Sequence, residues 1–132
     1  MTRPAALLAL LAAGCAAPPA SDPRVTRLTD VMEEEGPVAV RRLHGDGAHT
    51  ANWVRVRGRI ARHIHRHSHE IVYVIRGEGE LVLGDRVLKV QAGDEVFVPR
   101  GTVHAFEATD CAVLSVFAPG FVPGDRIFVE TP

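Results

Sequence analysis

The sequence predicts an all-β protein built as one small antiparallel barrel or sandwich, and three observations carry that prediction. Its β-favouring runs are short and rich in Val, Ile, Phe and Tyr. Turn-forming residues separate them about every eight to twelve positions, the spacing of sandwiches and small barrels. No segment sustains a helical period long enough to compete. With 132 residues, 46% hydrophobic and 23% charged, the chain has the size and composition of a single globular domain.

The first residues differ in kind from the rest. Met1-Thr2-Arg3 carries one positive charge, and Pro4 to Ala13 is an apolar run of Ala and Leu, too short to span a bilayer. A charged start, a short apolar core and small residues after it describe a secretory signal over residues 1–14. Leu11-Ala12-Ala13-Gly14-Cys15 resembles the bacterial lipoprotein box, with Ala12 where leucine is most usual. That resemblance implies a lipidated Cys15 as the first mature residue and a protein exported and anchored to the cell membrane, facing the periplasm or the exterior. The stretch after it, Ala-Ala-Pro-Pro-Ala-Ser-Asp-Pro, cannot bury a core, so residues 15–23 are expected to be a tether. Residues 24–36 form a lead-in in which Thr29-Asp30 and the following glutamates could open a short helix, stopped by Gly36-Pro37.

Residues 37–132 are the expected barrel. Val38-Ala39-Val40, Trp53 to Arg57, Ile71 to Ile75 and Glu80 to Leu83 are its first strand candidates. Gly84-Asp85 divides Leu81–Leu83 from Val87–Val90, the signature of a two-residue hairpin. Val96–Val98, Val103–Phe106, Val113–Phe117 and Ile127–Val129 complete the series. Ile71 to Ile75 is apolar on both faces, so a partner's sheet is expected over its outer side and the protein is expected to be a homodimer. Cys111 sits in an apolar run, Cys111-Ala112-Val113-Leu114, and reads as a buried small hydrophobe rather than a catalytic thiol.

The distinctive chemistry lies in Arg62-His63-Ile64-His65-Arg66-His67-Ser68-His69-Glu70. In an extended chain the side chains of His63 and His65 share a face, roughly 7 Å apart, close enough for both imidazoles to converge on one ion. Further ligands must come from other strands. Glu70 offers a carboxylate at the start of the next strand, and His104 lies in a later one among Val103, Ala105 and Phe106. Imidazole with carboxylate suits a divalent ion such as iron, manganese, nickel, copper or zinc. His67 and His69 share parity with the pair, but a turn before Glu70 is expected to break the alternation. His44 and His49, beside Gly45, Asp46 and Gly47, read as loop residues, and Arg76 and Glu78 as rim charges.

Two long motifs in order resemble those of the cupin family, over roughly Trp53 to Phe117. The first is His63-x-His65, four residues, Glu70, six residues and Gly77. The second is Gly93, five residues, Pro99-x-Gly101, two residues and His104. Two positions depart from the pattern: Gly58 stands one residue too close to His63, and Ala108 replaces a closing asparagine. The resemblance implies a small antiparallel β-barrel, or jelly roll, with one divalent transition metal held by His63, His65, Glu70 and His104. It also implies that Pro99-Arg100-Gly101 is the tight turn that aims His104 inward.

A net charge of −1 gives no reason to expect nucleic acid, and the membrane is expected only through the lipid anchor. The partner is then a small molecule. Cupins host many reactions, so the fold does not give the reaction. The leading expectation is a metal-dependent enzyme, like a dioxygenase or a decarboxylase or lyase, acting on a small oxygen-rich or aromatic compound in the cell envelope. A non-catalytic metal or ligand module and a sugar isomerase or epimerase are the alternatives. Strand period nominates Val72, Val74, Phe97 or Val98, and Phe106 as lining residues. No catalytic group beyond the ligands is nominated. Tyr73, His67 and His69 are the nearest candidates, with Tyr73 expected to face outward from its parity to Glu70.

Overall fold

A computed structural model describes residues 22–30 and 35–131. Signal, lipobox and Cys15 lie outside the described residues, as does Cys15's expected lipidation. The strands in chain order are β1 (Val38–Gly45), β2 (Thr50–His65), β3 (His69–Arg76), β4 (Glu78–Leu83), β5 (Arg86–Gln91), β6 (Glu95–Val98), β7 (His104–Ala118) and β8 (Arg126–Phe128). All pairings among them are antiparallel. The order β1-β2-β7-β3-β6 forms the continuous sheet, with β4–β5 attached to β7 and β8 to β2. The all-β barrel expected from the sequence is the fold observed.

Two differences concern strand length. Val103–Phe106 and Val113–Phe117, read as separate strands, fall from His104 onward in one 15-residue strand, β7. Its stretch Glu107 to Asp110 stays extended between two anchored ends, since β7 pairs with β4 up to Glu107 and with β3 from Ala112, and with β2 on either side of the shift at Thr109 and Asp110. Likewise Trp53–Arg57 is part of the 16-residue β2, which runs on to the histidine pair. His44, read as a loop residue, lies in β1 opposite Ala51, its ring nitrogen 2.9 Å from that of His49. Of the short helix considered near Thr29, residues 28–30 form a turn, and residues 31–34 lie outside the described residues.

The inward faces of β2, β3, β6 and β7 meet in the core, where Val56, Val74, Val98, Val113 and Cys111 are buried. Each such aliphatic side chain contributes about 1.5–3 kcal/mol when taken out of water. Cys111 is fully buried, and burial, helped by Asp110, pushes its thiol up to about 11, so it stays protonated and inert. Gly84 takes a φ of 63° in the two-residue turn between β4 and β5, as the hairpin required.

The outer face of β2 is also covered. Trp53 is 2% exposed, and its indole N–H donates to the Leu28 carbonyl at 3.2 Å. The same N-terminal segment is tied to β1 by Arg24, which donates to the Leu43 carbonyl. Beside Trp53, Arg55 grips the Asp110 carboxylate with two hydrogen bonds of 3.0 and 2.8 Å. That grip, with Arg76 and Arg57 nearby, holds the Asp110 carboxyl below the usual carboxylate range. On β3 the outer side chains are open instead: Ile71 and Tyr73 are 38% and 44% exposed, beside Phe97 of β6 at 51%. Tyr73 thus faces outward, as its parity requires.

Candidate metal centre

The irregularity in the β2–β7 register between Ile60 and His63 resets the alternation of β2 before its last residues. His63 and His65 then point inward from the end of that strand. His104, the first residue of β7, lies directly opposite His63. Glu70 enters from the second position of β3. The turn Pro99-Arg100-Gly101 closes through a hydrogen bond from Thr102 N–H to the Pro99 carbonyl, and Gly101 N–H donates to the His65 carbonyl at 2.7 Å. This fixes the start of β7 against the end of β2.

One ligand atom from each of His63, His65, Glu70 and His104 lies within 4.8 Å of the others. All four residues are buried, with exposures of 9% or less. Each imidazole is held from behind. His63 Nδ1 lies 2.8 Å from the Ala61 carbonyl, His104 Nδ1 2.9 Å from the Thr102 carbonyl, and His65 Nδ1 3.1 Å from Asp125 Oδ2. These acceptors require the proton on Nδ1 and leave the Nε2 lone pairs for the shared centre. Glu70 Oε2 is 3.1 Å from His104 Nε2 and 3.4 Å from His65 Nε2, while Ser115 Oγ donates to Oε1 at 2.5 Å.

His63 and Glu70 are shifted from their ordinary values. Burial, reinforced by the neighbouring His104, pushes His63 down to about 4, so its ring is neutral at pH 7. Burial alone would raise the Glu70 carboxyl. The close approach of the His104 and His65 rings and the hydrogen bond from Ser115 outweigh it and hold the group below its ordinary value, hence ionised.

The fit to a metal rests on an unsatisfied atom. His65 Nε2 is buried and makes no hydrogen bond, since its approach to Glu70 is long. A buried acceptor without a partner is costly. A cation placed among three imidazole nitrogens and one carboxylate would satisfy it, and that donor set suits a first-row divalent ion.

A cavity of about 370 Å³ adjoins the centre. Val54, Val72, Val74, Val98 and Phe106 make its walls mostly apolar, with Asn52 among the polar exceptions. Its size matches small-molecule sites. Of the pair left open by periodicity, Val98 lines it and Phe97 points out.

The other nominated residues are elsewhere. His67 is exposed, with its backbone N–H on Asp125 Oδ1. His69 turns to the outer face, its ring 5.6 Å from that of Phe97 and in contact with Arg100. The turn before Glu70 therefore breaks the alternation as expected.

Sequence reasoning missed Asp125 and Ser115. Asp125, only 2% exposed, accepts from His65 and from the backbone N–H groups of His67 and Ser68. Nothing in Pro-Gly-Asp-Arg separates it from a surface turn. Ser115 did leave a signal, a polar side chain on the inward parity between Val113 and Phe117.

Residues 54–117 match the profile of the cupin domain. The matched segment, 64 of the 132 residues, is similar to a cupin domain. A curated relative in Aquifex aeolicus, described as an uncharacterized protein, is 34% identical over 70 residues, half of this chain. The chain spans 58% of that relative's length. Among solved structures, an uncharacterized Klebsiella pneumoniae protein with a double-stranded β-helix domain aligns with a TM-score of 0.71 and 24% identity, over 83% of this chain and 100% of that one. KdgF from Halomonas aligns at 0.61 and 25% identity, over 67% and 84%. Streptomyces Pac13 with uridine aligns at 0.64 and 23% identity, over 74% and 82%, and Pac13 is described as a nucleoside dehydratase. These likenesses are of fold. The β-barrel is the common ground, and the reaction is a separate matter.

Proposed function

We propose that this cupin binds one divalent transition metal through His63, His65, Glu70 and His104 and acts on a small molecule held in the adjoining cavity. The observation that carries this reading is the fixed orientation of three buried imidazoles, each held at Nδ1, around an ionised carboxylate. When bound, the ion would supply Lewis acidity and a place for a ligand oxygen. The protein's own share is positioning and exclusion. Ser115 keeps Glu70 aimed, and the valine walls keep water from a ligand's apolar part.

The reaction class fits a dioxygenase or a decarboxylase or lyase better than acid–base chemistry by side chains. Besides the ligands, Arg59 and Arg126 are the ionisable side chains among the described cavity residues, and neither is a general base at neutral pH. The description of the structural neighbour Pac13 as a dehydratase supports the lyase side of this reading. The same scarcity of proton-moving groups supports the second reading, a module that binds metal and ligand without turnover.

Elemental analysis of the purified chain should find one divalent metal per protein. His104→Ala should lose it while keeping a folded β spectrum, because His104 supplies a nitrogen from a different strand. Metal retained in full by that variant would overturn the four-ligand reading. A screen of carboxylic acids, phenolics and sugars on the loaded protein separates enzyme from module, tight binding without turnover marking the module.

The location proposed for this activity is the cell envelope, with Cys15 lipidated after export. The support is the apolar run ending at Gly14-Cys15. Wild-type chain should fractionate with membranes and take up labelled fatty acid, and Cys15→Ser should do neither. A soluble, unlabelled wild type ends that part of the reading.

A further inference from the structure

We infer that Arg126 selects an anionic substrate at this site: a small carboxylate whose flat or apolar body lies against Phe128 while the guanidinium holds its charged end. The inference rests on the reading of the cavity as a ligand site and names its substrate class.

The argument begins with register. β8 pairs with the last residues of β2, His63 opposite Phe128 and His65 opposite Arg126. Directly opposed residues of an antiparallel pair project to the same side of the sheet. Arg126 and Phe128 therefore share the face that carries the two inward histidines, and both line the cavity. The ring of Phe128 lies 6.2 Å from that of His63.

Both side chains are open to solvent, Phe128 at 67%. An exposed aromatic and a cation side by side at a cavity edge offer one ligand both an apolar face and a charge. Among the described residues no carboxylate pairs with Arg126. Glu70 is the one acid on the described cavity lining, and Ser115, His65 and His104 already occupy it. The guanidinium thus has no carboxylate at ion-pair distance among the described residues, and a bound divalent ion would more than offset the charge of Glu70.

A planar guanidinium grips a carboxylate through two parallel N–H donors, and the aromatic face beside it accepts a flat carbon skeleton. β8 is also held firmly enough to discriminate. Asp125, immediately before Arg126, is anchored by the backbone N–H groups of His67 and Ser68, and Arg66 N–H donates to the Asp125 carbonyl at 2.9 Å. Val129 N–H closes the other end on the Arg62 carbonyl at 3.0 Å.

The test compares benzoate with benzamide, alike in shape and different in charge, binding to the full chain in metal-loaded and metal-stripped forms. Wild-type protein should prefer benzoate by roughly tenfold or more, the range of one charge-assisted contact, in both forms. Arg126→Gln should bring that ratio close to one with metal content unchanged. Phe128→Ala should weaken both probes together and leave the ratio intact. The stripped form separates the two readings, because a carboxylate bound only through the metal loses its advantage there. Equal ratios in wild type and Arg126→Gln, no preference in stripped wild type, or no binding of either probe would each overturn the inference. Absence of metal from the purified wild type would sink the metal reading and leave the ratio measurable.

Discussion

Among single residues Asp125 has the clearest separable role. It receives the Nδ1 proton of His65 and so fixes which nitrogen of that ring faces the centre. Asp125→Asn keeps the volume but offers an amide N–H as readily as an oxygen, which favours the wrong tautomer. Metal affinity should fall roughly ten- to a hundredfold, the usual cost of losing such a partner. Competition against a coloured chelator reads that loss, and an unchanged far-ultraviolet spectrum shows that the fold survives. Wild-type affinity in the variant would mean that the carboxylate serves the turn alone. The four ligand candidates were legible in the sequence because their spacing is a linear pattern. Asp125 and Arg126 were not, since what distinguishes them is the pairing of β8 with β2, sixty-odd positions earlier by register. Ser115 lies between these cases, visible as a polar interruption of an inward row but without a partner until β3 is placed beside β7.

For the strands, sequence reasoning found where extended chain occurs and misjudged how far it runs. Pattern marks a strand by its apolar face, so the polar middle of β7 looked like a break although the residues before and after it are paired on both sides. The two departures from the cupin motifs resolve at the same scale. Gly58 and Ala108 are opposite each other in the β2–β7 register, next to the shift at Val56, so both odd positions sit at one irregular site away from the ligands. Turn glycines differ in what they tolerate. Gly84 and Gly77 both have positive φ, 63° and 78°, but a Cβ on Gly84 meets open space and one on Gly77 meets the Asp110 carbonyl. Gly84→Ala should therefore cost about 1 kcal/mol. Gly77→Ala should cost roughly 3 kcal/mol or more, strain and overlap together. Urea denaturation of the two variants measures the difference, and equal costs would show that the β3–β4 turn can shift aside.

At the scale of the whole molecule, the sequence reading of β3 as apolar on both sides has a structural counterpart. Ile71, Tyr73 and Phe97 form an exposed patch across β3 and β6. We propose that a second copy covers it. Placing a charge there tests the proposal: Phe97→Asp should sediment as a monomer under conditions where the wild type sediments as a dimer. A monomeric wild type at tens of micromolar would end the dimer reading. The fold class itself was readable early because it depends on strand spacing and turn chemistry, which are local. The arrangement of strands was not, because it depends on which distant segments meet.

That dependence sets an order of events during synthesis. Val54 finds its β7 partner only at Val113, and Val72 only at Ser115. Until then β2 has β1 alone, and β4 with β5 forms the nearest complete hairpin. Long-range pairings wait on slow loop closure, whereas hairpins form in microseconds. The two histidines of β2 are thus translated, and wait beside an unfinished wall, well before the strand that carries His104 arrives to enclose them.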